Sequence, residues 1–245
     1  MTDPRRKLVP VLDAPPVLAG WGIPTTLEYD SDRTQLLGTR RSTQLFFEAT
    51  RRDPSMTGPL LARRGVAAVV TIRPPSAPPG EPLEILRLRE HRPFEFFVAR
   101  VERVLDERGW LEAVQRLGPD CATSAVIEQR AFAGELPEKP SAGRVVRLSR
   151  ENARVWSEVD VDGPGPGLLA VNQSWDPGWS AAIDGVSNPV IRTDIGFSSV
   201  LVPQGRHRIE LRYRDPWAER GGLLSLLALA FCATVFVSAR STPRA

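Results

Sequence analysis

Trp175, Asp176, Trp179, Asp184 and His207 are the residues whose types and spacing invite a chemical reading. Asp176 and Asp184 form a candidate general acid/base pair, which glycosidic chemistry needs in one cleft about 5 to 9.5 Å apart. Yet Asp176 precedes Pro177-Gly178 and Asp184 precedes Gly185. An aspartate there caps its own backbone in a turn, and that local role accounts for both more cheaply. Trp175 and Trp179 flank the same Pro-Gly turn and would offer a stacking surface to a sugar ring. The competing reading makes them core residues that pin a corner, because aromatic side chains usually bury. His91 and His207 are the two histidines, without the His-Glu or Cys spacing of a metal site. The five residues are therefore candidates for binding; no catalytic residue, metal or cofactor is expected. No nucleophile elbow, phosphate loop or dinucleotide fingerprint is present. Tyr29-Asp30 with Arg33, Arg40 and Arg41 would suit an anionic lipid phosphate, although a solvated helix face explains the same residues.

The elements that must position these side chains are short and closely punctuated. Residues 168–171 are a run that can be buried on both faces, and residues 179–183 are a second, closed by the hairpin signal Asp184-Gly185. Val190-Ile191, residues 197–202 and residues 206–213 complete the series. In the last, Ile209, Leu211 and Tyr213 alternate with Arg208, Glu210 and Arg212, and His207 falls on the apolar side. Upstream, Val155, Ser157, Val159 and Val161 share one face of a further strand. Short strands with frequent turn signals predict an antiparallel sandwich.

The same motifs resemble a known family. Trp175-Asp176-Pro177-Gly178-Trp179, then Ala182-Ile183-Asp184-Gly185, then Pro203-Gln204-Gly205-Arg206-His207 and Leu211-Arg212-Tyr213-Arg214, are similar to the C-terminal signature of YfhO-type bacterial membrane proteins. Residues 61–71 (LARRGVAAVVT) and 93–101 resemble upstream segments of that family more weakly. The resemblance implies the extracytoplasmic tail and last span of a polytopic protein of the integral-membrane glycosyltransferase type, which uses lipid-linked sugars. The presumed catalytic carboxylate of the family lies in an early loop to which nothing here corresponds.

Composition narrows the alternatives. At 245 residues, with 42% hydrophobic and 25% charged residues, the chain can bury a substantial core. Its 23 prolines and 19 glycines favour a loop-rich β protein over a helical bundle. The net charge of +3 is nearly balanced and the arginines are scattered among acids, which argues against a nucleic-acid partner. Cys121 and Cys232 suggest neither a disulfide nor a metal. Residues 221–239 form a run of 19 without a charge, bracketed by Arg220 and Arg240, with Trp217 ahead as an interfacial anchor. A helix of that length spans about 28 Å, close to a bilayer core. It is expected to be a single transmembrane helix, and Asp215 and Glu219 beside it are too isolated to form a site.

Read in order, residues 1–30 are Pro-rich and look like the end of something longer. Residues 34–52 predict a helix over their second half, 56–64 a short second helix, and 66–72 a buried strand. Residues 73–82, with five prolines, are a surface loop. Strands follow at 83–89, 94–101 and 124–128, with a helix over 105–117 stopped by Gly118-Pro119. The expected fold is α+β, mainly an antiparallel β-sandwich-like module, with a mixed helical N-terminal part. Its parts are 1–140, a mixed α/β region; 141–218, the sandwich; and 219–240, the membrane helix.

The first functional reading is a non-catalytic accessory domain in cell-envelope glycosylation. It would lie at the bacterial cell membrane, with its soluble part outside, contacting a multi-span membrane protein, a glycan or a lipid-linked sugar. Two others stand beside it: a tail-anchored interaction module or truncated gene remnant, and a soluble carbohydrate-active enzyme. With no apolar leader ahead of the domain, and arginines concentrated before the apolar run, the chain alone reads as tail-anchored with its domain inside; the family resemblance implies the opposite orientation.

Overall fold

The structure, a computed structural model, describes residues 37–72, 83–88, 91–132, 134–151, 153–215, 221–222 and 224–232. The Pro-rich loop expected at 73–82, the lipid-contact candidates Tyr29, Asp30 and Arg33, and Trp217 and Glu219 lie outside these residues.

The alternating segments form two stacked sheets. One has the strand order β10-β9-β13-β7-β6, built from β6 (Gly143–Glu151), β7 (Arg154–Val161), β9 (Trp179–Ile183), β10 (Val186–Asn188) and β13 (Gly205–Tyr213). The other has the order β11-β12-β8-β3, built from β3 (Glu95–Phe97), β8 (Gly167–Ser174), β11 (Ile191–Thr193) and β12 (Phe197–Val202). Every pairing in both sheets is antiparallel. Period-two alternation sends Val155, Ser157, Val159 and Val161 of β7 inward and places Arg154, Glu158 and Asp160 on the wetter face. There Arg144 meets Asp160 at 2.7 Å and Arg206 meets Glu158 at 3.0 Å, a polar cover for a sheet with one solvated side. Between the sheets, Leu169, Val171, Val200, Val202, Ile209 and Leu211 are buried in one apolar cluster.

The second sheet has no solvated face. Leu168, Leu169, Ala170 and Val171 are all fully buried, so the continuous apolar run of β8 is explained by cover on both sides. Its outer face packs on Val98, Val101, Ala125 and Ile127, the last three carried by the parallel pair β4 (Arg100–Val104) and β5 (Ser124–Glu128). Beyond these lie three helices: α1 (Leu37–Arg52), α2 (Thr57–Arg63) and α3 (Gly109–Leu117). Leu45, Phe46, Leu60, Leu61, Trp110, Leu111 and Val114 join there in a separate core. The remaining hairpin pairs β1 (Ala68–Ile72) with β2 (Leu83–Arg87).

The expected strands and helices are present, with differences that have local causes. The strand expected to be buried at 66–72 starts at Ala68, which is exposed, because it pairs only with β2 in a separate two-stranded sheet. The apolar run 94–101 is divided between β3 and β4, which join different sheets. The sandwich therefore takes a strand from ahead of residue 141. Helix α3 starts at Gly109 rather than 105, because residues 105–108 carry a turn in which Asp106 Oδ1 accepts the Arg108 N–H. The short strand β10 after Asp184-Gly185 went unanticipated. The expected transmembrane helix is not supported: among the described residues no helix is long and apolar enough to cross a membrane. Residues 221–222 and 224–232 are helical and exposed, with Leu224, Leu226, Leu227 and Leu229 each more than half exposed, while residues 233–239 lie outside the described residues.

Candidate functional site

The Trp-Asp-Pro-Gly-Trp segment carries the chain from β8 in one sheet to β9 in the other. Asp176 Oδ1 accepts the Gly178 N–H at 2.7 Å, and the Asp176 carbonyl accepts the Trp179 N–H at 3.0 Å, closing the turn. Gly178 is required for space: a Cβ there would collide with the Arg214 carbonyl and come within 2.8 Å of the Tyr213 ring. Trp179 lies against the inter-sheet core and meets Tyr213 at a ring separation of 5.2 Å. Trp175 carries the Arg192 guanidinium 5.4 Å from its ring centre. Both tryptophans are half-buried and committed to neighbours within the chain.

Asp184 sits at φ 50° and Gly185 at φ 83°, the paired left-handed conformations of a tight β9–β10 hairpin. Its Oδ1 accepts the Arg208 N–H at 2.8 Å, and its Oδ2 lies 2.6 Å from His207 Nδ1. His207 Nε2 lies 3.0 Å from the Gln204 carbonyl. Both ring nitrogens thus face oxygen acceptors, and only the imidazolium can donate to both. The Asp184 contact, and after it the Gln204 carbonyl, raise the His207 pKa above its ordinary value. The Arg208 N–H, and after it His207, hold Asp184 below the usual carboxylate range. This is a clamp across two turns. The carboxylates Asp176 and Asp184 fall at opposite ends of the five-residue strand β9. Five residues of extended chain put them roughly 15 Å apart, well beyond the separation of a glycosidase pair.

A second constellation, which the sequence reading did not single out, joins the helical part to the sandwich. Arg63 ends α2 and Arg64 follows it; with Asp194 they are buried, at 5%, 9% and 7% exposure. Arg63 Nε donates to the Ser124 carbonyl at 3.1 Å and Nη1 to Asn172 Oδ1 at 3.2 Å. Its Nη2 approaches Asp194 Oδ2 to 2.6 Å. That approach pairs the charges, but the N–H is not aimed at the oxygen, so neither atom completes a directed hydrogen bond. Asp194 Oδ1 accepts the Val126 N–H at 3.0 Å, and the Asp194 N–H donates to the Val126 carbonyl at 2.8 Å. Arg64 Nη2 donates to the carbonyl and hydroxyl of Ser42 at 2.9 and 2.7 Å, and its guanidinium lies 5.2 Å from the rings of Phe46 and Phe197. Burial, partly offset by Asp194 and reinforced by Arg63, brings the Arg64 pKa down to about 10, so it stays a cation.

Asp194 and Ile195 reach this junction from the β11–β12 turn through two successive left-handed residues, φ 47° and 69°. Asp tolerates that conformation, whereas β-branched Ile does so at a cost of about 1 to 3 kcal/mol. Burial of Ile195 in the helical core offsets the strain. The junction borders a cavity of about 20 Å³ lined by Arg63, Arg64, Asp194, Cys121 and Trp110 together with apolar side chains. Burial, with further contributions from Asp194 and Asp120, pushes the Cys121 thiol up to about 12, so it is not a nucleophile at neutral pH.

The signal for the junction was present as two adjacent arginines inside an otherwise apolar segment, LLARRGVAAVV. Asp194 gave no signal of its own, since Thr-Asp-Ile-Gly reads as turn material. The chain matches no protein-family model and no curated protein.

Proposed function

We propose that this chain is a non-catalytic accessory domain of a YfhO-like membrane system in cell-envelope glycosylation, contacting a sugar acceptor or a multi-span partner. The observation that carries the reading is that Asp176 and Asp184, the carboxylates of its motif-bearing segments, are both structurally engaged, Asp176 in its own turn and Asp184 with the Arg208 N–H and His207 of β13. Trp175 and Trp179 retain partial exposure at the same corner and supply the aromatic surface such a contact would use. We further propose that the helical backbone at 221–222 and 224–232 belongs to a membrane attachment. Leu224, Leu226, Leu227 and Leu229 lie open to solvent, and the uncharged run continues to residue 239. The soluble part then stands on the extracytoplasmic side of the bacterial cell membrane.

Two measurements test this. Purified chain incubated with a lipid-linked sugar gives no turnover, alone, under conditions that support a multi-span transferase. Turnover lost in Asp176→Asn or Asp184→Asn would instead establish a soluble carbohydrate-active enzyme. Carbonate extraction of native membranes leaves the chain in the pellet, and release into the supernatant removes the membrane attachment from the proposal.

A further inference from the structure

The junction between the helices and the sandwich brings two guanidiniums and one carboxylate into a buried site, among the described residues. Arg63 takes the carboxylate, Asp194. Among the described residues Arg64 is left with the Ser42 oxygens and two aromatic faces, which solvate a cation without neutralising it. The cavity beside them is also bordered by Trp110, only 3% exposed, whose indole N–H has no hydrogen-bond partner among the described residues. A buried donor without an acceptor is costly, and so is a surplus buried charge. Both are relieved by one group that is negative and accepts hydrogen bonds.

We propose that this cavity binds one small monovalent anion of halide size, held by Arg64, Arg63 and the Trp110 indole N–H. Its volume of about 20 Å³ sets the size class. A single water needs about 10 to 15 Å³ by that measure, so one small ion fits and a phosphate ester or sugar does not. Leu60, Val114, Leu117, Val126 and Phe197 make the rest of the wall mostly apolar, with Ser124 and Cys121 among them, which favours a weakly hydrated ion over a strongly hydrated one. Asp194 also borders the cavity and opposes the ion through Oδ2, which lies 2.6 Å from Arg63 Nη2 without a directed hydrogen bond, but the two guanidiniums outweigh its single charge. Bound there, the ion ties α2 and α3 to the β11–β12 turn, and the inference is independent of the accessory role.

Thermal unfolding of the full chain, with sodium chloride replacing sodium gluconate at constant ionic strength, reads the site directly. The expected result is a melting temperature that rises with chloride and saturates, as binding to the folded state alone requires. Trp110→Phe keeps the ring and removes the donor, and should raise the half-saturating chloride concentration about tenfold or more. A crystal grown in sodium bromide should show an anomalous peak between Arg64 and the indole nitrogen. Identical melting in chloride and gluconate, a linear response without saturation, or an unchanged half-saturation in Trp110→Phe would each overturn the proposal. So would a cavity that holds ordered water only in the bromide crystal.

Discussion

Glu95 is a carboxyl group placed where a sandwich has no water. It lies on β3, 2% exposed, on the strand face that it shares with Phe97 of the inter-sheet core. The Ser157 hydroxyl approaches from β7, but among the described residues neither carboxylate oxygen has a partner in hydrogen-bonding geometry. Burial is the dominant influence and pushes the pKa from the ordinary 4.5 up to about 7, against smaller opposing effects of Ser157 and Arg150. A folded-state pKa above the unfolded value means that the folded chain holds the proton more tightly. The associated stability is complete below pH 4.5 and is lost as the pH rises through 7. At 1.36 kcal/mol per pH unit, the loss is about 3 kcal/mol by pH 8. Glu95→Gln cannot ionise, so its stability relative to the parent chain should improve by that amount between pH 4.5 and pH 8. With a urea m-value near 2 kcal/mol/M, the gap between the two midpoints should widen by about 1 to 2 M. Urea titrations of both proteins at pH 4.5, 6, 7 and 8 make the comparison, and the other titrating groups cancel in the difference. A constant gap at every pH would refute the reasoning, because it would mean that Glu95 titrates alike in both states.

The remaining expectations concern the clamp, the junction and the corner. Loss of the His207–Asp184 contact should remove a stability increment present between about pH 4 and pH 6.5. The Asp184 part fades as acid protonates the carboxylate, and the His207 part fades as the pH rises through its raised pKa; comparing parent and Asp184→Asn melting profiles across that window checks it. Asp194→Ala leaves Arg63 buried without its counter-charge and should cost about 3 to 5 kcal/mol in denaturant unfolding, whereas Asp53→Ala, a half-buried residue that caps a short turn through the Ser55 N–H, should cost no more than about 1 kcal/mol. Gly178→Ala drives a methyl into the Arg214 carbonyl and should lower stability by about 1 to 3 kcal/mol, with the loss of Trp179 near-ultraviolet dichroism as the local readout.

Where one physical cause dominated, the sequence could be read well. The alternation of β7 and β13 follows from a sheet with one dry face, and the unbroken run Leu168–Val171 follows from a sheet with two. Gly118 stops α3 at φ 55° as a glycine after a helix should. What could not be read was partnership over distance. Arg63 finds Asn172 and Asp194 more than a hundred residues away, and no local spacing announces such a contact. Glu95 was hidden for a related reason: alternation says which face a residue takes, but a charge on the dry face contradicts the pattern that would have assigned it. Asp176 shows the reverse case: its turn chemistry was legible because its partner, the Gly178 N–H, lies two residues away. Asp184, expected to cap its own turn, instead holds the Arg208 N–H and His207 on β13, a partnership over distance like that of Arg63.

The strand β3 fixes the order in which the chain can assemble. It pairs along β8, with Glu95 opposite Val171 and Phe97 opposite Leu169. On the ribosome, β3 emerges well before its neighbour and has no other strand in that sheet to join until β8 arrives. Its closure therefore carries a long loop, the high-contact-order step that slows folding and delays any nucleus containing it. The helical core built from α1, α2 and α3 is more local and can collect first. The sandwich then closes on a platform that already exists, and the edge of β8 is sealed by a strand made long before it.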